Sequence, residues 1–394
     1  MNSTPSMAQH RRVPGCRSLG AHEGRNGGPL LLVVGGIHGN EYSGVLAARR
    51  VLDKLALEDR PFRGRFVALV GNLAALALDQ RFIDLDLNRQ WLPQRVAKLT
   101  APAGTASGTS AVEEREQREL LAALLRELET AQGPVHFMDL HTSSADGPPF
   151  VTVGDTLRNR AFALKLGLPV VLGLEEQIDG ALLEYVNNLG HVTVGIEAGR
   201  HHAPESVDHH EAVLWLALAA AGHMDEKDLP DAASLRGRLR AATPGIPPIM
   251  AVDRRHPVTP DDGFVMAPGY RNFDPVFAGQ VVARDKKGPV ISRRRSRMLL
   301  PLYQAQGSDG FFLVRKIHPF WLRLSALLRR SGLPGLVHWL PGVHCHPEWP
   351  ETLVVNTRVA RLLPLQVLHL LGFRKLRWLG HLLMVSRRRF DTRE

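Results

Sequence analysis

The sequence predicts an α/β protein: a mixed, largely parallel central sheet flanked by helices, then a smaller β-rich second domain and a basic, partly helical C-terminal extension. Three observations predict it. Leu30–Val34 is an unbroken apolar run ending at Gly35-Gly36, the pattern of a strand buried on both faces. From there to Gly222, strand-length apolar runs alternate with stretches of helical periodicity, as βαβ units do. After about residue 246 the helical period gives way to short β-rich runs broken by glycine and proline.

Composition bounds the reading. The 394 residues suffice for two domains with sizeable cores, and 44% hydrophobic with 22% charged residues is ordinary for a globular chain. Cys16 and Cys345 are too far apart in sequence to suggest a disulfide framework, which fits a reducing compartment. No apolar segment follows Arg11-Arg12 and no run nears the roughly twenty residues of a membrane span, so a cytoplasmic protein is expected. The net charge of +10 is concentrated: residues 316–394 hold thirteen Lys/Arg against four Asp/Glu. The rest is nearly neutral, which argues against a nucleic-acid binder.

In chain order, residues 1–28 are polar and read as a flexible N-terminus or a peripheral strand. The opening strand is followed by a helix at about 41–57 and a second strand at Arg65–Val70. A long loop then carries Arg81-Phe82-Ile83-Asp84-Leu85-Asp86-Leu87-Asn88-Arg89. Residues 100–110 read as a flexible connection, 111–131 as an amphipathic helix, and Val135–Leu140 as a strand ending at His141. Phe150–Val153, Pro169–Leu172 and His191–Ile196 read as strands, with helices at 157–166, 181–188 and 206–222, the last capped by Ser206. A linker is expected at 223–245, the β-rich domain at 246–315 and the extension at 316–394.

Chemistry-bearing side chains gather at the ends of three strands: His38 with Glu41, His141, and Glu197. Strand ends are where open α/β sheets bind ligands. Two His and one carboxylate suit zinc with a position left open for water, and a nearby carboxylate such as Glu197 can take that water's proton. Arg81, Asn88 and Arg89 offer donors to an oxyanion or a carboxylate. Asp139 reads equally as a partner orienting a ligand His or as a strand Asp paired elsewhere. His201, His202, His209 and His210 read as surface residues, and His344-Cys345-His346 as structural.

Gly-Gly-Ile-His38-Gly-Asn-Glu41, Arg81 ahead of Asp-Leu-Asn88-Arg89, Asp-Leu-His141-Thr and Gly-Ile-Glu197-Ala-Gly resemble, in this order, the motifs of the succinylglutamate desuccinylase/aspartoacylase family. The resemblance covers about residues 30–315 and implies a zinc carboxypeptidase-like fold for a catalytic domain at 29–225. It implies one Zn2+ per chain on His38, Glu41 and His141, Glu197 as general base and acid, and Arg81 polarising the scissile carbonyl. It also implies substrate contact by Asn88 and Arg89, with Asn272-Phe273 and Gly279-Gln280 in the second domain's strands. Two positions depart: Asn187 stands where an Arg is expected, and Gly310-Phe311 where a Tyr is. A diacid substrate is therefore not carried over.

The expected activity is zinc-dependent hydrolysis of the amide bond of an N-acyl amino acid or related small acylated amine. A carboxypeptidase acting on short peptides, or a non-catalytic metal-binding or interaction protein, remains as the alternative. For residues 316–394 there are two readings: packing or self-association, or attachment to an anionic membrane surface or acidic partner through Trp321, Trp339, Trp378 and Arg387–Arg389.

Overall fold

The computed structural model describes residues 15–100, 111–349, 351–360, 365–388 and 390–392. The connection expected at 100–110 lies almost wholly outside these residues. An edge strand β1 (Ser18–Glu23) precedes β2 (Asn26–Gly35), so the peripheral-strand reading holds over 18–23. Then come α1 (Ser43–Leu57), β3 (Arg63–Val70), α2 (Leu73–Leu78), α3 (Pro93–Thr100), α4 (Val112–Glu129) and β4 (Val135–Ser143). Next are β5 (Phe150–Val153), α5 (Leu157–Ala163), β6 (Val170–Leu172), α6 (Leu182–Asn188), β7 (Val192–Arg200), α7 (Pro204–Ala221) and α8 (Ala232–Ala242).

β2 lies between β3 and β4 in parallel register, and β7 joins β4 in parallel. This is why Leu30–Val34 reads as a continuous apolar run: both faces are covered. Leu31 and Val33 pack into a core with α1 and α7, while Leu30, Leu32 and Val34 pack into a second core with α4. Alternate side chains of one strand thus serve the two helical layers. Gly36 takes φ +70° in the turn after β2, and the backbone of Ala75 approaches Gly39 so closely that a Cβ there would overlap it. The turn carrying His38 therefore requires its glycines.

Two element assignments are corrected. The helix at α7 starts at Pro204 with Ala203 as N-cap, and Ser206 instead donates its hydroxyl to Arg200 O at 2.8 Å. Pro is well suited to the first helical turn because its missing N–H has no intrahelical partner there. The expected linker contains α8, whose Leu235 and Leu239 are buried in the α7-side core; its three Arg and one Gly masked that short apolar stripe.

The remaining elements are β8 (Ile249–Pro257), β9 (Val265–Met266), β10 (Pro275–Val276), β11 (Val281–Asp285), β12 (Gly288–Ile291), β13 (Ser296–Leu299) and β14 (Asp309–Lys316). Four of these strands do not stand apart: β8 pairs with β6, and β14, β13 and β10 follow antiparallel, giving a continuous sheet of order β1-β3-β2-β4-β7-β5-β6-β8-β14-β13-β10. β9, β11 and β12 form a small sheet of their own. The extension then folds as α9 (Pro319–Arg330), β15 (Val343–Cys345), β16 (Thr352–Asn356), α10 (Leu365–Leu370), β17 (Phe373–Leu379) and β18 (Leu382–Arg387). Its four strands form one antiparallel sheet over a separate apolar core that includes Val343, Leu353 and Val385. The sequence showed the helical part of this module and not its sheet.

Candidate metal centre and the cavity beside it

Parallel pairing sets the site. β2 delivers the turn with His38 and Glu41, β4 delivers His141, and β7 delivers Glu197 directly opposite His141 in the ladder. The ligand atoms of His38, Glu41 and His141 lie within 4.8 Å of one another. Glu41 is buried between the two imidazoles, with Oε1 2.8 Å from His38 Nδ1 and Oε2 3.0 Å from His141 Nδ1. Oε2 also accepts from Thr142 N at 2.9 Å. Burial pushes the Glu41 carboxyl up, but His38 and His141 together outweigh it and hold it well below the usual range.

The other face of each imidazole meets a carboxylate. His141 Nε2 lies 3.0 Å from Asp139 Oδ2, and His38 Nε2 lies 3.3 Å from Asp86 Oδ1. A carboxylate behind a His fixes ring orientation and makes the ring a stronger ligand. Asp139 thus stands behind His141, at the position of an orienting carboxylate.

The loop after α2 brings the donors. Arg81 reaches Asp86 Oδ2 at 3.2 Å and Glu41 Oε1 at 3.6 Å. Asn88 Oδ1 accepts from Leu182 N at 2.9 Å, and its Nδ2 stands 3.4 Å from His141 Nε2. Arg89 pairs with neither Asp84 nor Asp86; its Nη2 lies 3.6 Å from Asp309 Oδ2 of β14. What shapes this loop is a residue the sequence reading missed. Glu113 of α4, fully buried, accepts from Asn72 Nδ2 and from the backbone N–H groups of Ile83, Asp84 and Leu85. Only the fold shows that a helix Glu at the start of an amphipathic pattern points inward.

All seven sequence-predicted residues line one cavity of about 130 Å³. Glu197 is half-buried there, and its Oε2, shielded from solvent, has no hydrogen-bond partner among the described residues. Burial raises its carboxyl well above the usual range, Glu41 and Asp139 add to that, and His141 and Arg81 oppose it. Glu175, also missed, forms part of the wall and accepts from Thr152 Oγ1 at 3.1 Å. Burial pushes it up to about 7, against the pull of Arg388. The β-rich segment adds Leu300, Leu302, Gln304 and Phe312 to the wall.

The donor set fits a divalent ion: two imidazoles and the Glu41 carboxylate offer ligand atoms within 4.8 Å of one another, with Asp86 and Asp139 behind the rings. Among the described residues this is the only such group. The histidines after β7 need correcting. His210 is fully buried against Ser43, and His201 hydrogen-bonds Thr142 Oγ1 at 2.7 Å and lies 3.3 Å from Gln304 Oε1 at the cavity edge. Of that cluster, His202 does lie at the surface, 3.8 Å from Asp79.

Comparison with known proteins agrees with this geometry. Residues 27–217 match the family model described as the succinylglutamate desuccinylase/aspartoacylase catalytic domain. A succinylglutamate desuccinylase of Pseudomonas fluorescens is 31% identical over 121 residues, 31% of this chain and 33% of that protein. The match thus spans about a third of the length of that curated relative. Among solved structures, a succinylglutamate desuccinylase/aspartoacylase from Rhodobacter sphaeroides aligns at TM-score 0.55 and 20% identity, covering 76% of this chain and 88% of that one. The ectoine utilization protein EutE (DoeB) from Ruegeria pomeroyi aligns at 0.52 and 19%, covering 75% and 86%. At such identities these two speak for the fold. Residues 27–217, just under half of the chain, thus match the succinylglutamate desuccinylase/aspartoacylase catalytic domain, and the two solved structures share its fold.

Proposed function

We propose that this chain is a zinc-dependent hydrolase that cleaves the amide bond of an N-acyl amino acid or a related small acylated amine. The observation that carries the reading is the convergence of His38, Glu41 and His141 beside Glu197, whose shielded Oε2 lacks a partner among the described residues. A zinc ion held by those three residues would supply a Lewis acid and lower the pKa of a water molecule toward neutrality. The chain's own groups handle the remaining charge. Glu197 takes the proton of the attacking water and returns it to the leaving amine nitrogen. Arg81, held by Asp86, donates to the carbonyl oxygen as negative charge builds on it. Asn88 and Arg89 hold the polar end of the substrate.

The wall supports one restriction on that substrate. A diacid would bring a second negative charge toward Glu175 and Asp139, which line the same cavity. Neutral or amine-bearing acyl amino acids fit that wall better. The test is metal analysis of the purified chain, then hydrolysis assays on neutral, acidic and amine-bearing N-acyl amino acids beside short peptides. The expected result is bound zinc and acyl release faster than peptide cleavage, abolished by a chelator and restored by zinc. A zinc-loaded chain that releases no acyl group from any of them overturns the reading, and faster peptide cleavage assigns a carboxypeptidase.

A further inference from the structure

Helix α9 leaves part of its apolar surface uncovered. Its buried positions are polar: Ser325, which donates to Leu370 O, and Arg329, whose guanidinium is fully buried on Asp155 and Asp391. These two, four residues apart, form one face. Phe320 and Leu327, seven residues and so about two turns apart, lie on the opposite side and are 56% and 66% exposed. Trp321 beside them is 50% exposed. The 3-10 turns at Leu333–Trp339 extend the patch with Leu336 and with Trp339, which is 76% exposed. A helix of a globular protein ordinarily places its apolar stripe toward the core. Here ion pairs anchor the most buried face, Leu322 and Leu328 pack at its flanks, and Phe320 and Leu327 look into solvent.

The charge around this patch says what it meets. From Arg315 to Pro347 the sequence has five Lys/Arg and no Asp or Glu. Lys316, Arg323 and Arg330 are exposed, and Arg323 and Arg330 sit seven residues apart as a stripe beside Phe320 and Leu327. A second copy of the chain is a poor occupant, because a two-fold contact would set the exposed cations of this patch, Arg323 and Arg330, against their own copies. Trp, Phe and Leu flanked by Arg on a surface helix match the interface of an anionic bilayer, where rings and aliphatic chains enter the headgroup boundary and guanidinium groups meet lipid phosphates.

We propose that the α9 face is a membrane-docking surface that seats the enzyme on anionic lipid. Arg387 and Arg388, which the sequence suggested for this task, serve elsewhere: Arg387 pairs with Glu351 and Arg388 with Glu176. The basic contribution falls instead to Lys316, Arg323 and Arg330.

Full-length protein is floated with phosphatidylcholine vesicles, with or without added phosphatidylglycerol. The expected result is flotation with the anionic vesicles at low salt and release as ionic strength rises. The Trp321→Ser/Trp339→Ser variant should lose about tenfold or more in vesicle affinity, and Arg323→Glu/Arg330→Glu should lose the preference for anionic lipid. All four positions are exposed, so both variants should melt as the parent does. The parent comparison needs no variant: failure to float with anionic vesicles overturns the proposal. So does a parent dimer, seen by sedimentation, that Trp321→Ser/Trp339→Ser converts to monomer, since the face would then belong to a second copy.

Discussion

Two clusters of charge lie on this protein, and they differ in make-up. At the metal centre, Glu41, Asp86, Asp139 and Glu197 gather around two His with Arg81 as the nearest guanidinium, and one Glu197 oxygen has no partner among the described residues. Where the extension meets the α/β domain, Arg160 and Arg329 face Asp155 and Asp391, and Arg388 faces Glu176. The second set is neutral in sum, with its guanidinium groups spent on carboxylates and backbone carbonyls. Matched ion pairs in a dry interior make a joint; ligand-type donors converging beside a cavity make a candidate site. Both include partly unsatisfied oxygens, so it is the donor set and the adjoining cavity that separate them.

The comparison breaks most sharply at Glu197. Glu197→Gln should lower hydrolysis by about 10²–10⁴-fold with zinc content kept and thermal stability equal or higher, because an unpaired, shielded carboxylate is removed. Retention of most activity takes Glu197 out of the chemistry. Arg329→Ala should do the reverse. Leaving Asp155 and Asp391 buried without their shared cation should cost roughly 3–5 kcal/mol in denaturant unfolding, while zinc binding survives. An unfolding midpoint unchanged from the parent would mean the joint carries no net stability.

Glu113→Gln sharpens the line between the two kinds of cluster. A neutral amide can accept through one oxygen only, so backbone N–H groups among Ile83, Asp84 and Leu85 lose their acceptor, at roughly 1–3 kcal/mol. The loop with Arg81, Asn88 and Arg89 should loosen, read as faster amide exchange at 83–85 and a raised KM. Unaltered exchange would show the loop is held by other means.

The smallest expected effect concerns acid. His136 and His223 are held down to about 4, chiefly by burial, against an ordinary value of 6.5. Between those values the unfolded chain binds more protons than the folded one, so stability should fall as pH drops through that window. Replacing His223 with Gln should flatten part of the slope in melts across pH 4 to 6.5. A slope identical to the parent's would mean His223 protonates without opening the fold.

The half that carries the candidate site was legible from the residues alone. Leu30–Val34 had to be a strand covered on both faces, because nothing else accommodates five consecutive buried aliphatic side chains before a glycine turn. His38, Glu41, His141 and Glu197 were legible because strand ends in a parallel sheet converge, and local motifs report which residues stand at those ends. What only the tertiary structure decided are contacts between segments far apart in the chain. Glu113 holds a loop about thirty residues before it, Glu175 enters the cavity from beyond β6, and Arg329 turns a helix's polar face inward toward Asp155. No periodicity records these, because the side chains are polar and their burial depends on a partner that sequence spacing does not fix.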